Sequence, residues 1–420
     1  MINITDKTKC CGCNACAQIC PKHCITMHED KEGFLYPMVD KSVCIDCGLC
    51  NKVCPIINPY EPKQPLEVLA ARNKNDEQRL QSSSGGLFIL LAKHIIGQNG
   101  IVFGARFDKN WEVEHGYAET LDELPPLMRS KYVQSRIGNA YKEVEKFLKQ
   151  GRRVMFVGTS CQITGLKKYL RKEYDNLLAV DFICHGVPSP GIWRQYLQEI
   201  RSKQNEATKK NIISYSSLKS VPVITGINFR GKQHEGYTWK KFGFVVNAKI
   251  SSNDNQNTVI LSENFSKNLF MKGFLSNLYL RPSCYHCVAK NGACESDLTI
   301  ADFWGIQNYH PEFDDDQGTN IVFVHSPKGE MFLEALSSQL ETVRSSIVEG
   351  TASNPSYLKP VPIPQKYSVF WRTYARTQSV CTSVETATHR TIRDKIVAKL
   401  KYYLRKIYTI KKNKSFFYLM

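Results

Sequence analysis

Two stretches of the sequence, CCGCNACAQICP at residues 10–21 and CIDCGLCNKVCP at residues 44–55, decide the fold of the N-terminal region. In each stretch three cysteines follow one another at intervals of two residues, and a fourth comes three residues later, directly before a proline. Bacterial ferredoxins with two [4Fe–4S] clusters use this ligand run, and the fourth cysteine of each run binds the other cluster. The repeat therefore predicts a ferredoxin-like module that carries two cubane clusters.

The ferredoxin pattern assigns four cysteines to each cluster. The first cluster is predicted to be held by Cys10, Cys13, Cys16 and Cys54. The second is predicted to be held by Cys44, Cys47, Cys50 and Cys20. Cys11 and Cys24 are extra, and we expect them to be thiols that bind no iron. A pair of zinc sites is the alternative, but zinc does not call for the third cysteine and the Cys-Pro pair in both stretches.

The number of cysteines also points to metal or redox chemistry. The chain has 16, of which ten lie before residue 55 and five between residues 161 and 294. No stretch approaches the ~20 apolar residues that span a bilayer, and the N-terminus lacks the layout of a signal peptide. We therefore expect a cytoplasmic protein, where cysteines more often bind metal or react than form disulfides.

The formal net charge of +17 is concentrated at the C-terminus. Residues 386–420 contain ten Lys or Arg and a single acidic residue, Asp394. Apolar residues recur at helical spacing from Thr386 to Tyr408, which predicts an amphipathic helix. Such a helix docks on the body of the protein, on a partner or on a membrane surface.

The sequence as a whole predicts three parts: a module at 1–58, an α/β body at 66–370 and a basic tail at 371–420. A Pro-rich linker follows the module. Two predicted strand–helix units place Cys161 and Cys184 at the carboxyl ends of buried strands. Short alternating runs between residues 212 and 262 predict an additional antiparallel sheet. The sequence shows no nicotinamide or nucleoside-triphosphate motif and no basic stripe for nucleic acid.

Four further motifs, in order, carry a resemblance. They are SSGG at 83–86, GTSCQITGL at 158–166, CHGVPSP at 184–190, and CYHC at 284–287 followed by SDLTIADFWG at 296–305. Behind a two-cluster ferredoxin, this order resembles the beta subunit of coenzyme F420 hydrogenase/dehydrogenase over residues 1 to 370. Ser160 departs from the proline usual in that family. The resemblance implies an FAD-binding α/β domain with a further iron–sulfur cluster.

The resemblance also implies particular residues. A third [4Fe–4S] cluster would use Cys161, Cys184, Cys284 and Cys287, with Cys294 in reserve. The FAD contacts would come from Ser83, Ser84, Gly85, Gly86, Lys131, Tyr132 and Asp302. Each has a simpler interpretation: the serines and glycines cap a helix, Lys131 is a surface lysine, and Asp302 caps a turn. His185 is the histidine worth testing, although such a residue more often bonds its neighbours.

These expectations combine into a function. The resemblance implies an iron–sulfur flavoprotein oxidoreductase that relays single electrons from a ferredoxin-type donor, through the clusters to FAD, and on to a small two-electron acceptor such as coenzyme F420. No residue is assigned as an acid or base, because the flavin does the chemistry. The alternatives are an electron-transfer subunit that works only with a separate catalytic chain, and a zinc-stabilised binding protein without redox activity.

Overall fold

The computed structural model of the protein describes residues 1–210, 223–234, 236–249 and 257–389. Over these residues the strands form sheets of two, three and eight strands. The large sheet is mixed and carries helices on both faces, and the smaller sheets are antiparallel. This architecture confirms the predicted α/β class with an additional antiparallel sheet.

The N-terminal module consists of two short helices and one hairpin. Its elements are α1 (Ala15–Ile19), β1 (Ile25–Glu29), β2 (Leu35–Val39) and α2 (Leu49–Lys52). The third cysteine of each run, Cys16 or Cys50, lies within one of the helices. The two cysteine runs therefore adopt the same local structure, as their repeated spacing predicts.

Gly33, at the turn of the module's hairpin, lies where the module contacts the body. Its backbone has a φ of +85°, and a Cβ at this position would lie 2.2 Å from the backbone nitrogen of Gly191. The N–H of Gly191 donates to the carbonyl of Glu32 at 3.1 Å, and the hydroxyl of Ser189 donates to the same carbonyl. The two glycines thus allow two backbones to touch, which any larger residue would prevent.

The eight-stranded sheet forms the centre of the body. Its strands follow the order β13-β3-β12-β11-β7-β6-β4-β5. The neighbours from β4 through β6 and β7 to β11 are parallel, and the other pairs are antiparallel. The strands are β3 (Glu67–Asn73), β4 (Ile101–Phe107), β5 (Val113–Ala118), β6 (Val154–Thr159), β7 (Leu177–Phe182), β11 (Leu298–Asp302), β12 (Asn320–Val324) and β13 (Leu340–Arg344).

Helices cover both faces of this sheet. The packing helices are drawn from the helices of the body up to residue 352, which are α3 (Asp76–Gln81), α4 (Leu87–Gly97), α5 (Ala140–Lys149), α6 (Ser160–Leu170), α7 (Pro190–Lys210), α8 (Leu269–Leu275), α9 (Pro327–Ala335) and α10 (Ile347–Ala352). Val102 of β4 packs with α4 and α9 on one face, whereas its neighbour Phe103 packs with α5 and α6 on the other. Central parallel strands are apolar on both faces for this reason.

The predicted antiparallel sheet is present as β8 (Val223–Gly231), β9 (Gly243–Lys249) and β10 (Thr258–Asn264), with β9 in the middle. An aromatic cluster joins it to α7 and α8. The ring centroid of Trp193 lies 5.1 Å from that of Phe229 and 5.0 Å from that of Phe270, and Phe229 lies 5.3 Å from Phe244. Each such pair contributes about 0.5–1.5 kcal/mol beyond its burial.

The chain described after residue 366 also packs on the body. Helix α11 (Tyr367–Thr377) spans the predicted boundary between residues 370 and 371, and α12 (Val380–Thr388) follows. The Glu199 carboxylate of α7 accepts hydrogen bonds from the Ser379 hydroxyl at 3.2 Å and the Cys381 N–H at 3.1 Å. An acidic group at a helix N-terminus is stabilising. The predicted helix at 386–408 lies outside the described residues from position 390 onward.

Two helix boundaries differ from those that the sequence pattern predicts. The pattern predicts a helix from Gly329 to Leu340, but α9 stops at Ala335 and β13 begins at Leu340. The pattern also predicts a helix from Ile163 to Arg171, but α6 begins at Ser160, because Thr159 caps it and Gln162 bonds back to the Thr159 N–H at 2.9 Å. Across the described ranges, no helix combines the length and apolar character needed to cross a membrane.

Candidate iron–sulfur and flavin sites

Four thiols of the N-terminal module form a first cysteine group, which consists of the predicted ligands Cys10, Cys13, Cys16 and Cys54. Cys16 interacts electrostatically with Cys10 and Cys54, and Cys13 interacts with Cys16 and Cys54. Burial, followed by the charges of Cys10 and Cys54, raises the pKa of Cys16 to about 12. Metal coordination reverses such a shift, because cluster ligands are thiolates.

The predicted ligands of the second cluster also come together. Cys20, Cys44, Cys47 and Cys50, the second cysteine group, line a common cavity. Cys24 lines the same cavity, and its Sγ lies 3.4 Å from the Sγ of Cys20. Cys47 is exposed, whereas Cys50 is buried. The second group therefore reaches the solvent, and Cys24 is a fifth thiol beside it.

A third cysteine group lies in the body at the carboxyl end of the parallel strands. Cys161 follows β6, Cys184 follows β7, and Cys284 and Cys287 lie in and after the 3₁₀ helix at residues 282–286. Cys284 interacts electrostatically with the other three thiols. Burial, and to a smaller extent Cys161 and Cys287, raises the pKa of Cys184 to about 12. The structure therefore gathers the four residues that the resemblance implied.

Cys294, the reserve ligand, faces a different set of neighbours. Its Sγ lies 3.4 Å from a carboxylate oxygen of Asp181 and 3.3 Å from the hydroxyl of Ser296. Both contacts are polar, and neither involves a cysteine of the third group. In this structure Cys294 belongs to a hydrogen-bonded cluster behind β7 rather than to the third cysteine group.

Cys11 joins the first cysteine group to the third. Its thiol is buried and interacts electrostatically with Cys13 and Cys161. Helix α6 approaches closely at the same place, where a Cβ on Gly165 would lie 3.1 Å from the Sγ of Cys13. The sequence predicted only that Cys11 was not a ligand. Its position between two groups depends on the docking of the module and could not be predicted from the spacing.

The geometry of a single-ion site is a separate question. In the described part of the chain, no three Cys, His, Asp or Glu side chains lie close enough together to hold one metal ion. Ligands of one zinc ion surround a single atom, whereas thiolates on a [4Fe–4S] cube bind four different iron atoms and lie farther apart.

The predicted flavin contacts at residues 83–86 lie at the start of α4. Gly86 precedes the helix in the left-handed conformation and has no side chain to cap it, while the Oδ1 of Asn320 accepts from the N–H of Leu87 at 3.3 Å. The hydroxyl of Ser83 accepts from the N–H of Ser130 at 3.0 Å, which brings this segment to residues 130–132. A Cβ on Gly85 would lie 2.7 Å from the backbone nitrogen of Asn320. The segment thus packs tightly on β12, and Asn320 of that strand takes one N–H group at the positive end of the helix.

Lys131 and Tyr132 lie beside this segment but point to different surroundings. The Nζ of Lys131 donates to the carbonyls of Met128 at 2.6 Å and Pro126 at 2.7 Å, and burial lowers its pKa to about 7. Lys131 is therefore not the solvated surface lysine of the simpler interpretation. Tyr132 stacks on Phe274 with ring centroids 4.9 Å apart.

Asp302 bonds to two buried side chains at the end of β11. One of its carboxylate oxygens accepts from the guanidinium of Arg230, and the other accepts from the indole N–H of Trp239 at 2.6 Å. Arg230 is only 4% exposed, and its Nε and Nη2 atoms have no hydrogen-bond partner among the described residues. Buried guanidinium N–H groups without partners are costly, so this site suits an anionic ligand.

Lys232 adds a second buried cation two residues along the same strand end. Its Nζ donates to the carbonyls of Gln317 at 2.6 Å, Arg79 at 2.8 Å and Ser84 at 3.2 Å. Burial, reinforced by the charge of Arg230, lowers its pKa to about 7, while the nearby Asp302 opposes the shift. Three carbonyl acceptors match the three donors of an ammonium group.

His185 makes contacts with its neighbours. Its ring nitrogen lies 2.6 Å from the side-chain oxygen of Asn277, and its ring packs edge-on against Phe274. Burial lowers its pKa. The structure thus gives His185 the neighbour-bonding role that such histidines usually have.

Two family models match parts of this chain. Residues 151–347 match the family model for the C-terminal domain of the coenzyme F420 hydrogenase/dehydrogenase beta subunit, and residues 9–56 match the model of the 4Fe-4S dicluster domain. Residues 151–347 belong to the beta-subunit family. The chain therefore combines an iron–sulfur dicluster module with a domain of the F420 hydrogenase beta-subunit type, as its sequence resemblance indicated.

Other comparisons add less. A chain of the F420-reducing [NiFe] hydrogenase complex from Methanosarcina barkeri is similar at 14% identity and a TM-score of 0.41, over 78% of this chain and 91% of that one. No curated protein matches the chain. The beta-subunit family match contains the third cysteine group, Arg230, Lys232 and Asp302, and the dicluster match contains the first and second groups.

Sequence reasoning missed Arg230 and Lys232. Both lie in the FRGK run at residues 229–232, at the end of a predicted strand. Paired basic residues at a strand end are common on protein surfaces, so the pattern alone carries no signal. Only the fold of the beta-subunit domain, which brings this end to Asp302 and Ser84, shows that both side chains are buried.

Proposed function

We propose that this chain is a flavin-dependent oxidoreductase that carries single electrons from a ferredoxin-type donor, through three [4Fe–4S] clusters, to FAD. From there a pair of electrons would reach a small acceptor, either coenzyme F420 or another molecule that takes two electrons. The observation that carries this proposal is the convergence of three groups of four cysteines, with Cys11 between the first and the third.

The positions of the groups support an order. Cys47 exposes the second group to solvent, which suits an external donor. The first group faces the body, where Cys11 reaches Cys161 of the third group. [4Fe–4S] clusters, when bound, exchange one electron at a time. The protein's own contribution is to hold their ligands in this sequence and to shield the inner ones from water.

A flavin, when bound, supplies the step from single electrons to an electron pair with a proton. The residues proposed to hold FAD are Ser83, Ser84, Gly85, Gly86, Lys131, Tyr132 and Asp302, to which we add Arg230 and Lys232. Arg230 has buried N–H groups to offer to the anionic part of the cofactor, and the positive end of α4 lies beside the Ser83–Gly86 segment. Asp302 fixes the direction of the Arg230 side chain.

Anaerobic purification followed by assays of iron, acid-labile sulfide, zinc and flavin tests the proposal. We expect iron and sulfide in equal amounts, about twelve of each per chain, together with FAD. Bleaching of the visible spectrum by a reduced ferredoxin would show that the chain accepts electrons. Zinc without sulfide or flavin would overturn the proposal and favour the zinc-stabilised binding protein.

The alternative is a subunit that works only with a separate catalytic chain. One observation supports it: the matching family is named for beta subunits. Reduction of coenzyme F420 by the isolated protein, with reduced ferredoxin as donor, would contradict this alternative. Activity that appears only after a partner chain is added would support it. In either case we propose that the protein acts in the cytoplasm, with its basic tail available to a partner or a membrane surface.

A further inference from the structure

Arg281 is a completely buried arginine at the junction between the module and the body. Its Nε donates to the carbonyl of Cys10 at 2.7 Å, and its Nη1 donates to the side-chain oxygen of Gln134 at 2.8 Å. Its Nη2 donates to the carbonyl of Leu35 at 2.9 Å and lies 3.4 Å from the Sγ of Cys10. One guanidinium thus holds the first cysteine run, the hairpin and the body together.

The charge of Arg281 forms no salt bridge among the described residues, although it interacts electrostatically with the Glu32 carboxylate, whose pKa burial raises to about 7. Its hydrogen-bond acceptors are carbonyls, an amide and a thiol. Its guanidinium carbon lies 4.3 Å from the ring centroid of Tyr36 and 5.3 Å from that of Phe34. Arginine stays charged in proteins, and a buried charge without a partner is costly.

A cluster in the first cysteine group would supply the missing counter-charge. Four thiolates outweigh the charge of an oxidised [4Fe–4S] core, and reduction adds one further negative charge. Gly12 has a φ of +73°, and a Cβ there would lie 2.8 Å from both Arg281 Nη1 and Gln134 Nε2. The loop between Cys10 and Cys13 is therefore shaped to admit this guanidinium against the first group.

The second cysteine group has no equivalent cation among the described residues. The N-terminal ammonium interacts with Cys44 and Cys50 and forms a 2.7 Å salt bridge with the exposed Asp46, and the exposed Lys22 lines the cavity of this group. An exposed and paired charge is screened by water, whereas a buried one is not. The two N-terminal sites thus share a ligand pattern but differ in the charge beside them.

We propose that Arg281 is a positioning residue that raises the reduction potential of the first cluster above that of the second. A buried cation stabilises the reduced, more negative cluster more than the oxidised one, so an electron taken up from a low-potential donor settles on the cluster next to the body. The electron is thereby held at the first group, whose neighbour Cys11 interacts with Cys161 of the third group. This inference rests on the proposed iron–sulfur relay.

The test is a redox titration of the anaerobic, full-length protein, followed by electron paramagnetic resonance of each reduced cluster. In Arg281→Gln, at the potential that half-reduces the first cluster of the parent, we expect the ratio of reduced to oxidised first cluster to fall at least about tenfold. The second cluster should not change. Arg281→Lys keeps the charge and should remain close to the parent.

Arg72→Gln is the matched control. Arg72 is a partly buried arginine that pairs with Glu341 and Asp315 on β3, and its loss should shift neither potential. Iron and sulfide contents show whether the variants hold their clusters. A parent without clusters would refute the proposed function itself. A loaded Arg281→Gln protein with unchanged potentials would refute only the role of Arg281.

A second measurement needs no substitution. It therefore applies even if the Arg281→Gln variant does not bind its clusters. In parent protein labelled with ¹⁵N-arginine, the reduced first cluster should show a nitrogen coupling from the guanidinium, and the second cluster should show none. Absence of coupling at the first cluster, or equal coupling at both, would overturn the proposal.

Discussion

Replacing Cys284 by serine should remove the third cluster and leave the other two in place. Cys284 interacts with Cys161, Cys184 and Cys287, and a hydroxyl is a poor substitute for a thiolate on iron. Each cubane cluster contains four iron atoms, so we expect the iron content to fall from about twelve to about eight per chain, with an equal loss of sulfide.

The same substitution should have little effect on folding. The Sγ of Cys284 accepts from the N–H of Val187 at 3.5 Å, and a serine oxygen can accept a similar bond. The expected change in the free energy of unfolding, measured without the cluster, is below about 1 kcal/mol. Colorimetric iron and sulfide assays on anaerobic protein, together with the number of paramagnetic clusters after reduction, measure the outcome.

Cys294→Ser is the matched control, because Cys294 is also a buried cysteine of the same region but faces Asp181 and Ser296. It should keep all of the iron. Full iron content in Cys284→Ser, or loss of about four iron atoms in Cys294→Ser, would show that the third group is not the ligand set we assign.

Three further predictions concern the body. Arg230→Gln should lower the FAD retained after purification at least about tenfold, because a charge-assisted hydrogen bond to a buried anion is lost, while iron content stays constant. Lys232 has a pKa of about 7 in the folded protein against its ordinary 10.5. Between these two values the unfolded protein therefore binds more protons than the folded one, and below pH 7 the charged Lys232 destabilises the folded protein to its full extent. As the pH rises from about 7 toward 10.5, the parent should therefore gain thermal stability relative to Lys232→Met. Glu199→Ala should lower the free energy of unfolding by about 1–2 kcal/mol, because α12 keeps its Ser379 cap but loses the carboxylate that accepts from the Ser379 hydroxyl and the Cys381 N–H.

Each of these has a distinguishing control. Arg72→Gln removes an arginine of the large sheet that lies outside the proposed flavin site and should retain FAD. If it loses as much FAD as Arg230→Gln does, the effect is structural. A parent-to-variant difference for Lys232→Met that is constant from pH 7 to 9 would contradict the proton linkage. Gln198→Ala, an exposed neighbour of Glu199 on α7, should leave the stability unchanged.

The parts of the site that the sequence could predict are those set by local spacing. Cys10, Cys13 and Cys16 can bind one cluster because a single short loop presents their three thiols. The spacing that shows this lies within the twelve residues 10–21. The strand-end positions of Cys161 and Cys184 follow from two strand–helix units, since parallel strands end at the same edge. Both arrangements need only short-range information or a general rule of topology.

What could not be predicted depends on contacts between distant segments. Arg281 lies 271 residues from Cys10, and nothing in its local sequence, RPSC, indicates a buried cation beside a cysteine run. Cys294 resembled a ligand by its proximity to Cys287, but the turn between them directs its thiol toward Asp181. Strand β13 was hidden because LETVR alternates weakly at the edge of the sheet, where most of its side chains are exposed.

The contact between Gly33 and Gly191 limits which ferredoxin modules could replace the one in this protein. A flexible linker alone would accept any donor domain of similar size, but the backbone of Gly33 touches that of Gly191 and leaves no room for a side chain on either. A transplanted ferredoxin would have to bring its own glycine at the hairpin turn, because a Cβ there would lie 2.2 Å from the backbone nitrogen of Gly191. Module and body are thus interchangeable only as a matched pair.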